Sequence, residues 1–344
     1  ALEEDMVDLE TEQFHDHGSV EVDGARLKCW KAGGHGTQTF LEVVQNSCNP
    51  GFVELGQRLG KEKLFSYIEK FGFGSKTGID LAGEATGILF SLDKVGPVEL
   101  ATTAFGQGVS VTPIQQIAAV SAAINGGKLY TPKIAKQLVD SESGKILQKF
   151  PTEMKRQVIS EKTSKKVRLA LETVVAQGSG KGAFVDGFRV GGKTGTAQKV
   201  KNGVYMQGNY ILSFIGFAPA NDPQIIVYVA VDNPKDTVQF GGTVSAPIVG
   251  NILRDAQKVL QIPSVKNQVE KEYTPWLDPK PIEVPNFVGM KKSEVLTQLI
   301  DLNVEAEGEG ELVFAQSPKA GTKLDAGSTV RLYFIDEKEK AKKK

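Results

Sequence analysis

Lys193 stands in Gly191-Gly192-Lys193-Thr194-Gly195-Thr196, which sets one cation and two hydroxyls along a short line. The three glycines strip side chains from that line, so a substrate backbone is expected to lie close against it. A carboxylate held there meets charge-assisted hydrogen bonds, which are about twice as strong as neutral ones. The suggested chemistry is capture of a ligand that ends in a carboxylate. A second polar group, Ser47-Cys48-Asn49-Pro50, offers a hydroxyl and an amide two residues apart. Lys76-Thr77-Gly78 repeats the Lys-Thr-Gly triplet, but it follows a helical pattern with no strand beneath it and is set aside as a chance match.

These groups need elements to position them. Arg189–Ala197 alternates as a strand, and Tyr210–Phe217 and Gln224–Val231 are rich in Ile, Val, Tyr and Phe, which predicts an antiparallel meander carrying Lys193. Thr37 or Thr39 is placed to cap a short helix through Val44. Pro50 is expected to open the next helix as its first residue, leaving Ser47, Cys48 and Asn49 in a loop between two helices. Asp23-Gly24 predicts a hairpin between Ser19–Val22 and Ala25–Trp30. Further helices are expected over 64–71, from Thr112-Pro113-Ile114-Gln115 to Ile124, and from Ser160 to Gly178, with a last one opened by Ser245-Ala246-Pro247. Helices followed by a meander and a closing helix suggest an α+β domain over residues 1–260. Prolines 263, 275, 279 and 281 make 261–281 a linker without a core. A small α+β module is expected over 282–336, with a helix at Lys292–Leu302 and strands near Leu312 and Thr329, before a charged tail at 337–344.

Composition restricts the function classes. The 344 residues carry 41 Lys+Arg against 41 Asp+Glu, so no global field favours nucleic acid. No apolar run reaches the roughly 20 residues of a membrane helix. The chain begins at Ala1, and Ala1-Leu2-Glu3-Glu4 reads as the tail of a helix, so the expectation is a fragment whose membrane anchor lies upstream. No phosphate loop or dinucleotide fingerprint implies a cofactor. His15, His17 and His35 with Cys29 match no compact zinc spacing, so they are expected to be loop histidines, with no metal.

Ser47-Cys48-Asn49 and Lys193-Thr194-Gly195 together resemble the second and third motifs of the penicillin-binding transpeptidases. Thr103-Ala104-Phe105-Gly106-Gln107-Gly108, Thr112-Pro113 and Asn125-Gly126-Gly127 are similar to class B members. Val284-Pro285-Asn286, Gly289, Gln316-Ser317-Pro318, Gly321-Thr322 and Gly327-Ser328 resemble a PASTA domain. The resemblance implies a serine β-lactamase-like fold of antiparallel sheet and helical subdomain. It also implies D,D-transpeptidation of peptidoglycan stem peptides through a serine ester, β-lactam binding, an extracytoplasmic location and a partner glycosyltransferase. Ser47 would relay a proton to the leaving amine, and Asn49 would bond the substrate amide. Lys193 with Thr194 and Thr196 would hold the terminal carboxylate, and the Thr196 N–H would form half of an oxyanion hole.

The family's nucleophile sits in a Ser-x-x-Lys that precedes the second motif, and none does here. Ser91-Leu92-Asp93-Lys94 fits the letters, but it follows Ser47 and has no helix to start, so the chain as given is expected to lack the nucleophile. Cys29-Trp30-Lys31 and Cys48 are similar to members implicated in spore cortex synthesis; a vegetative septal enzyme is the alternative. A carboxypeptidase, a β-lactamase and a non-catalytic muropeptide binder are further alternatives. In an extracytoplasmic protein Cys29 and Cys48 form a possible redox pair, whose bridge would contribute about 3 kcal/mol and tether the Ser47 loop. The alternative is that both are packing thiols.

Overall fold

Local signals start most of the elements where the chain chemistry predicts them. Thr39 caps its helix with a full capping box to Glu42, Thr112 does the same with Gln115, and the Ser160 hydroxyl accepts from the Thr163 N–H. Asp23 and Gly24 both adopt positive φ, 48° and 76°, the geometry of a two-residue hairpin turn. The computed structural model describes residues 1–201, 204–235, 239–271, 282–298, 302–308, 310–324 and 329–336. The chain divides into two units, Ala1–Glu272 and Tyr273–Lys344. Prolines 275, 279 and 281, the predicted helix end at 299–301, Gly327-Ser328 and the 337–344 tail lie outside the described residues.

In chain order the first unit contains β1 (Gln13–Asp16), β2 (Ser19–Val22), β3 (Ala25–Lys28), β4 (Gly36–Thr39), α1 (Phe40–Asn46), α2 (Asn49–Leu59) and α3 (Lys61–Lys70). Next come α4 (Pro97–Ala104), α5 (Pro113–Ile124), β5 (Lys128–Tyr130), β6 (Gln137–Val139), β7 (Ile146–Lys149), β8 (Met154–Gln157) and α6 (Glu161–Gln177). The unit closes with β9 (Gly191–Lys201), β10 (Val204–Ala218), β11 (Ile225–Asp232) and α7 (Gly241–Val259). Strands β9, β10 and β11 form the antiparallel meander in the order β11-β10-β9, so β9 is an edge among the described strands.

The sheet is covered on both faces. Phe214 and Ala218 of β10 pack with Ala246, Val249 and Leu253 of α7, and Phe217 packs with Ile124 of α5 and Leu171 of α6. Burying each large side chain of this kind contributes about 1.5–3 kcal/mol. Arg189, just before β9, forks onto Glu172 of α6 at 2.8 and 2.6 Å; Glu172 is buried, so this bidentate pair fixes the strand against the helix.

Several sequence expectations need correction. Asn49, not Pro50, is the first residue of α2, and Pro50 is buried in its first turn. The last helix opens at Gly241 with Phe240 as its N-cap, so Pro247 lies inside it rather than at its start. Ala1–Glu4 forms a hydrogen-bonded turn, with Glu4 N–H on the Ala1 carbonyl, rather than a helix tail. The sequence reading overlooked α4, although Pro97 in its first turn and the Glu99 side chain on Gly96 N–H are its start signals. Val265 N–H bonds the Gly187 carbonyl at 2.7 Å, so the start of the predicted linker lies on the first unit.

In the second unit β12 (Ile282–Glu283) pairs with β15 (Lys323–Leu324), and α8 spans Lys292–Gln298. Strands β13 (Asn303–Glu307), β16 (Thr329–Ile335) and β14 (Leu312–Ser317) form a sheet in the order β13-β16-β14. Val284, Phe287, Val295, Val313, Val330, Leu332 and Phe334 fill its core.

Candidate active site

The turn between α1 and α2 is tight because Ser47 adopts the left-handed conformation, φ 53° and ψ 47°. A non-glycine residue rarely sits there without compensation. Here Cys48 N–H bonds the Val43 carbonyl at 3.0 Å, and the Trp30 indole N–H caps the Asn46 carbonyl at 2.7 Å. Both bonds satisfy carbonyls that a helix end leaves open. The turn presents Ser47 Oγ to the edge strand, where Lys193 Nζ donates to it at 2.7 Å. Two groups 146 residues apart in sequence thus meet in one contact.

Lys193 is half-buried along its length, yet desolvation of its ammonium lowers its pKa to about 8 from the ordinary 10.5. Among the described residues no carboxylate is bonded to it; its other hydrogen bonds are to the Thr194 carbonyl at 3.3 Å and Thr194 Oγ1 at 3.4 Å. Ser179 Oγ shares a 3.1 Å hydrogen bond with Thr194 Oγ1, and Ser179 N–H bonds the Gln45 carbonyl at 2.9 Å. Ser179 therefore ties the end of α6 to α1 and to the edge strand, a role nothing in its sequence context announces. Gly178 must lack a Cβ, which would strike the Gln45 carbonyl. Asn49 Nδ2 donates to the Lys28 carbonyl at 3.0 Å. The Thr196 hydroxyl accepts from Gly241 N–H at 3.2 Å and keeps its proton for donation.

The glycines around Lys193 have a different role from the one expected. A Cβ on Gly191 would run into the Phe217 ring, and one on Gly192 would lie 2.5 Å from the Phe214 ring and 2.7 Å from the Ile215 carbonyl. One on Gly195 would meet Ser213 Oγ. These glycines make room for neighbours inside the fold rather than for a substrate backbone. Lys76-Thr77-Gly78 lies in a loop, with Thr77 bonded to Glu84, as expected of a chance match. Ser91 does precede a helical turn, the 3-10 segment Leu92–Lys94, contrary to expectation; both Ser91 and Lys94 are exposed.

Beside the Ser47 turn lies a second polar cluster. Cys29 and Cys48 are free and buried, and their sulfurs lie in one group with Asp16 and His35. His35 lies in the loop before β4, as expected, but its side chain is 2% exposed and contacts Asp16 and Cys29, whereas His15 lies in β1 rather than in a loop. His15, in contrast, is exposed and bonded to Thr37 Oγ1 at 3.0 Å, and His17 is exposed. Burial resists ionisation of Asp16, but bonds from Cys29, the Gly18 N–H, His35 and Cys48 outweigh it and hold its pKa at about 2. Hydrogen bonding from Cys48 lowers the Cys29 pKa, and the same bond, with burial, raises that of Cys48. His35 is raised: burial opposes its charge, but Cys29 and Asp16 favour it more.

Residues 1–254 match the penicillin binding protein transpeptidase domain, and residues 282–336 match the PASTA domain. The chain belongs to the penicillin-binding transpeptidase family and carries a PASTA domain. It is similar to Stage V sporulation protein D of Bacillus subtilis (strain 168), at 66% identity over 340 residues, covering 99% of this chain and 52% of that protein. It is also similar to a probable peptidoglycan D,D-transpeptidase, PenA, of Neisseria meningitidis, at 32% identity over 225 residues, with 65% and 37% coverage. Among solved structures, penicillin-binding protein 3 of Mycobacterium tuberculosis complexed with ampicillin superposes with a TM-score of 0.71 at 28% identity, over 79% of this chain and 63% of that one. The chain spans about half, or less, of the curated relatives it matches.

Proposed function

We propose that residues 1–260 contribute the substrate-binding half of a D,D-transpeptidase site that cross-links peptidoglycan stem peptides through a serine ester and is acylated by β-lactams. The observation that carries this reading is the 2.7 Å contact between Lys193 Nζ and Ser47 Oγ. A nucleophilic serine attacks the carbonyl of the penultimate D-alanine, and the C–N bond to the last D-alanine breaks. The leaving amine takes a proton relayed through Ser47. The amine of a second stem then resolves the ester. Lys193 with Thr194 and Thr196 holds the terminal carboxylate, Asn49 accepts from the substrate amide, and the Thr196 N–H supplies half of an oxyanion hole. Removing one such donor typically costs about 10²–10³ in rate.

The attacking serine is read as lying outside residues 1–344, because Ser91, in the chain's one Ser-x-x-Lys, is exposed ahead of a three-residue 3-10 turn. With an upstream anchor, the site would face the extracytoplasmic side of a membrane beside a glycosyltransferase. Likeness to the Bacillus protein supports a role in sporulation. We further propose that a disulfide reagent or protein oxidises Cys29 and Cys48: two thiols exchange with one disulfide, forming their S–S bond and releasing two reduced thiols. The bridge would fix Cys48 and impair the adjacent Ser47.

The test is intact-mass spectrometry after incubation with a β-lactam. No adduct is expected on the 344-residue chain, and one per chain on a version extended upstream through a Ser-x-x-Lys. An adduct on Ser91 contradicts the assignment of the nucleophile. No adduct on the extended version favours a muropeptide-binding protein instead.

A further inference from the structure

Strand β9 carries two hydroxyls, Thr194 and Thr196, which the two-residue period of a strand puts on one face. A hydroxyl has one proton and two lone pairs, so what its oxygen already accepts decides where the proton is free to point. Thr196 Oγ1 accepts from the Gly241 N–H at 3.2 Å, a donor at the start of α7. Thr194 Oγ1 lies 3.4 Å from Lys193 Nζ and 3.1 Å from Ser179 Oγ. Below about pH 8 Lys193 is an ammonium, and its three protons go to Ser47 Oγ, the Thr194 carbonyl and Thr194 Oγ1. One lone pair of Thr194 Oγ1 is thereby taken, and Ser179 decides the rest.

The Ser179–Thr194 bond can run in either direction. If Thr194 donates, its only proton goes to Ser179 and none is left for a ligand. If Ser179 donates, both lone pairs of Thr194 Oγ1 are occupied and its proton is committed to the remaining direction. A bound carboxylate only accepts, so it selects the second order: it gains a charge-assisted bond from Thr194 while both bonds behind that oxygen persist. The change turns two hydroxyl protons and moves no heavy atom. Ser179 is well held for this task. Its N–H bonds the Gln45 carbonyl of α1 at 2.9 Å, a Cβ on Gly242 of α7 would strike its carbonyl, and Gly178 before it has no room for a Cβ either. Three elements thus fix its backbone, and among the described residues its hydroxyl bonds only Thr194.

We propose that Ser179 is a positioning residue that acts through Thr194: its hydroxyl fills the second lone pair of Thr194 Oγ1, so that the Thr194 proton is aimed at a ligand's carboxylate. The inference rests on the transpeptidase reading, in which Lys193, Thr194 and Thr196 hold the terminal carboxylate. It adds a selectivity to that reading. Ser179 favours ligands that end in a carboxylate over those with a neutral end, because a charged acceptor gains about twice as much from an oriented donor. The two hydroxyls of β9 then have matching supports, the Gly241 N–H behind Thr196 and the Ser179 O–H behind Thr194. Donors oriented in advance need no rearrangement of the fold when the ligand arrives.

The test compares acylation of the upstream-extended protein by benzylpenicillin and by its methyl ester, followed by intact mass. The unaltered protein is expected to prefer the carboxylate form. Ser179→Ala keeps the backbone N–H on Gln45 and removes the hydroxyl. It is expected to slow benzylpenicillin by about 10-fold and the ester by no more than about 3-fold, so the preference shrinks. Thr194→Val removes the group through which Ser179 acts, so adding Ser179→Ala to it is expected to slow neither ligand further. A purely structural role would leave the preference intact and carry its loss into the Thr194→Val background. Ser179→Gly removes the same hydroxyl and takes the place of the alanine variant should that one fail to fold. A folded Ser179 variant that keeps the full preference, or whose loss multiplies with that of Thr194→Val, overturns this proposal alone. An unaltered protein that reacts equally with both forms overturns the carboxylate site itself, and the role of Ser179 with it.

Discussion

Lys193 and Asp16 are both ionisable groups drawn into the first unit, and their surroundings treat them in opposite ways. Asp16 has gathered donors from Cys29, Gly18, His35 and Cys48, and its charge is so well met that its pKa sits at about 2. Among the described residues Lys193 has no carboxylate bonded to it, and burial brings it down to about 8. The first arrangement is a finished structural unit. The second is a cation with no carboxylate partner among the described residues, the kind of perturbed group that makes a candidate for a functional site. The Ser47–Asn49 turn touches both: Ser47 meets Lys193, and Cys48 meets Asp16. One short segment thus couples a rigid hub to a poised cation.

Breaking the poised side carries the largest effect. Lys193→Ala in the upstream-extended protein is expected to slow β-lactam acylation by about 10²–10³, read as labelling rate with a fluorescent penicillin. The structural support beneath Lys193 comes next. Gly192→Ala puts a methyl 2.5 Å from the Phe214 ring, and overpacking of this kind destabilises by about 1–3 kcal/mol. The urea midpoint of the 344-residue chain checks this. If Gly192→Ala is neutral for stability but slows acylation, the glycine serves the substrate after all.

The smallest effect is in pH. Between about 8 and 10.5 the unfolded chain retains a Lys193 proton that the native chain has released, so this group's contribution to stability rises with pH across that window. Urea unfolding at both ends of the window should show that rise in the native chain and not in Lys193→Met. Carboxylate capture has the opposite sign, since it weakens as the cation is lost above about 8.

The two regions also differed in legibility. The Ser47–Lys193 contact was legible in the sequence because its residues belong to two short motifs, and the caps at Thr39, Thr112 and Ser160 with the alternation of β9 to β11 supplied their scaffold. The hub was not. Asp16 reads as one acid among many, and His35 lies in a glycine loop. Their spacing of 13 residues from Asp16 to Cys29 and again from His35 to Cys48 becomes a cluster only when β1, β3, β4 and the α1–α2 turn converge. Ser179 escaped notice for the same reason, since its partners Gln45 and Thr194 are distant in sequence. The glycines around Lys193 were seen but misread, because the rings they accommodate, Phe214 and Phe217, lie on the neighbouring strand.

The most direct test of the proposed Ser47–Lys193 unit is a double-mutant cycle on acylation of the upstream-extended protein, using Ser47→Ala, Lys193→Ala and the pair. If the two side chains act as one unit, the double variant should be about as slow as the slower single one, with a coupling in the range of about 0.5–3 kcal/mol. Losses that simply multiply would contradict the account, because they would mean that Ser47 and Lys193 work independently.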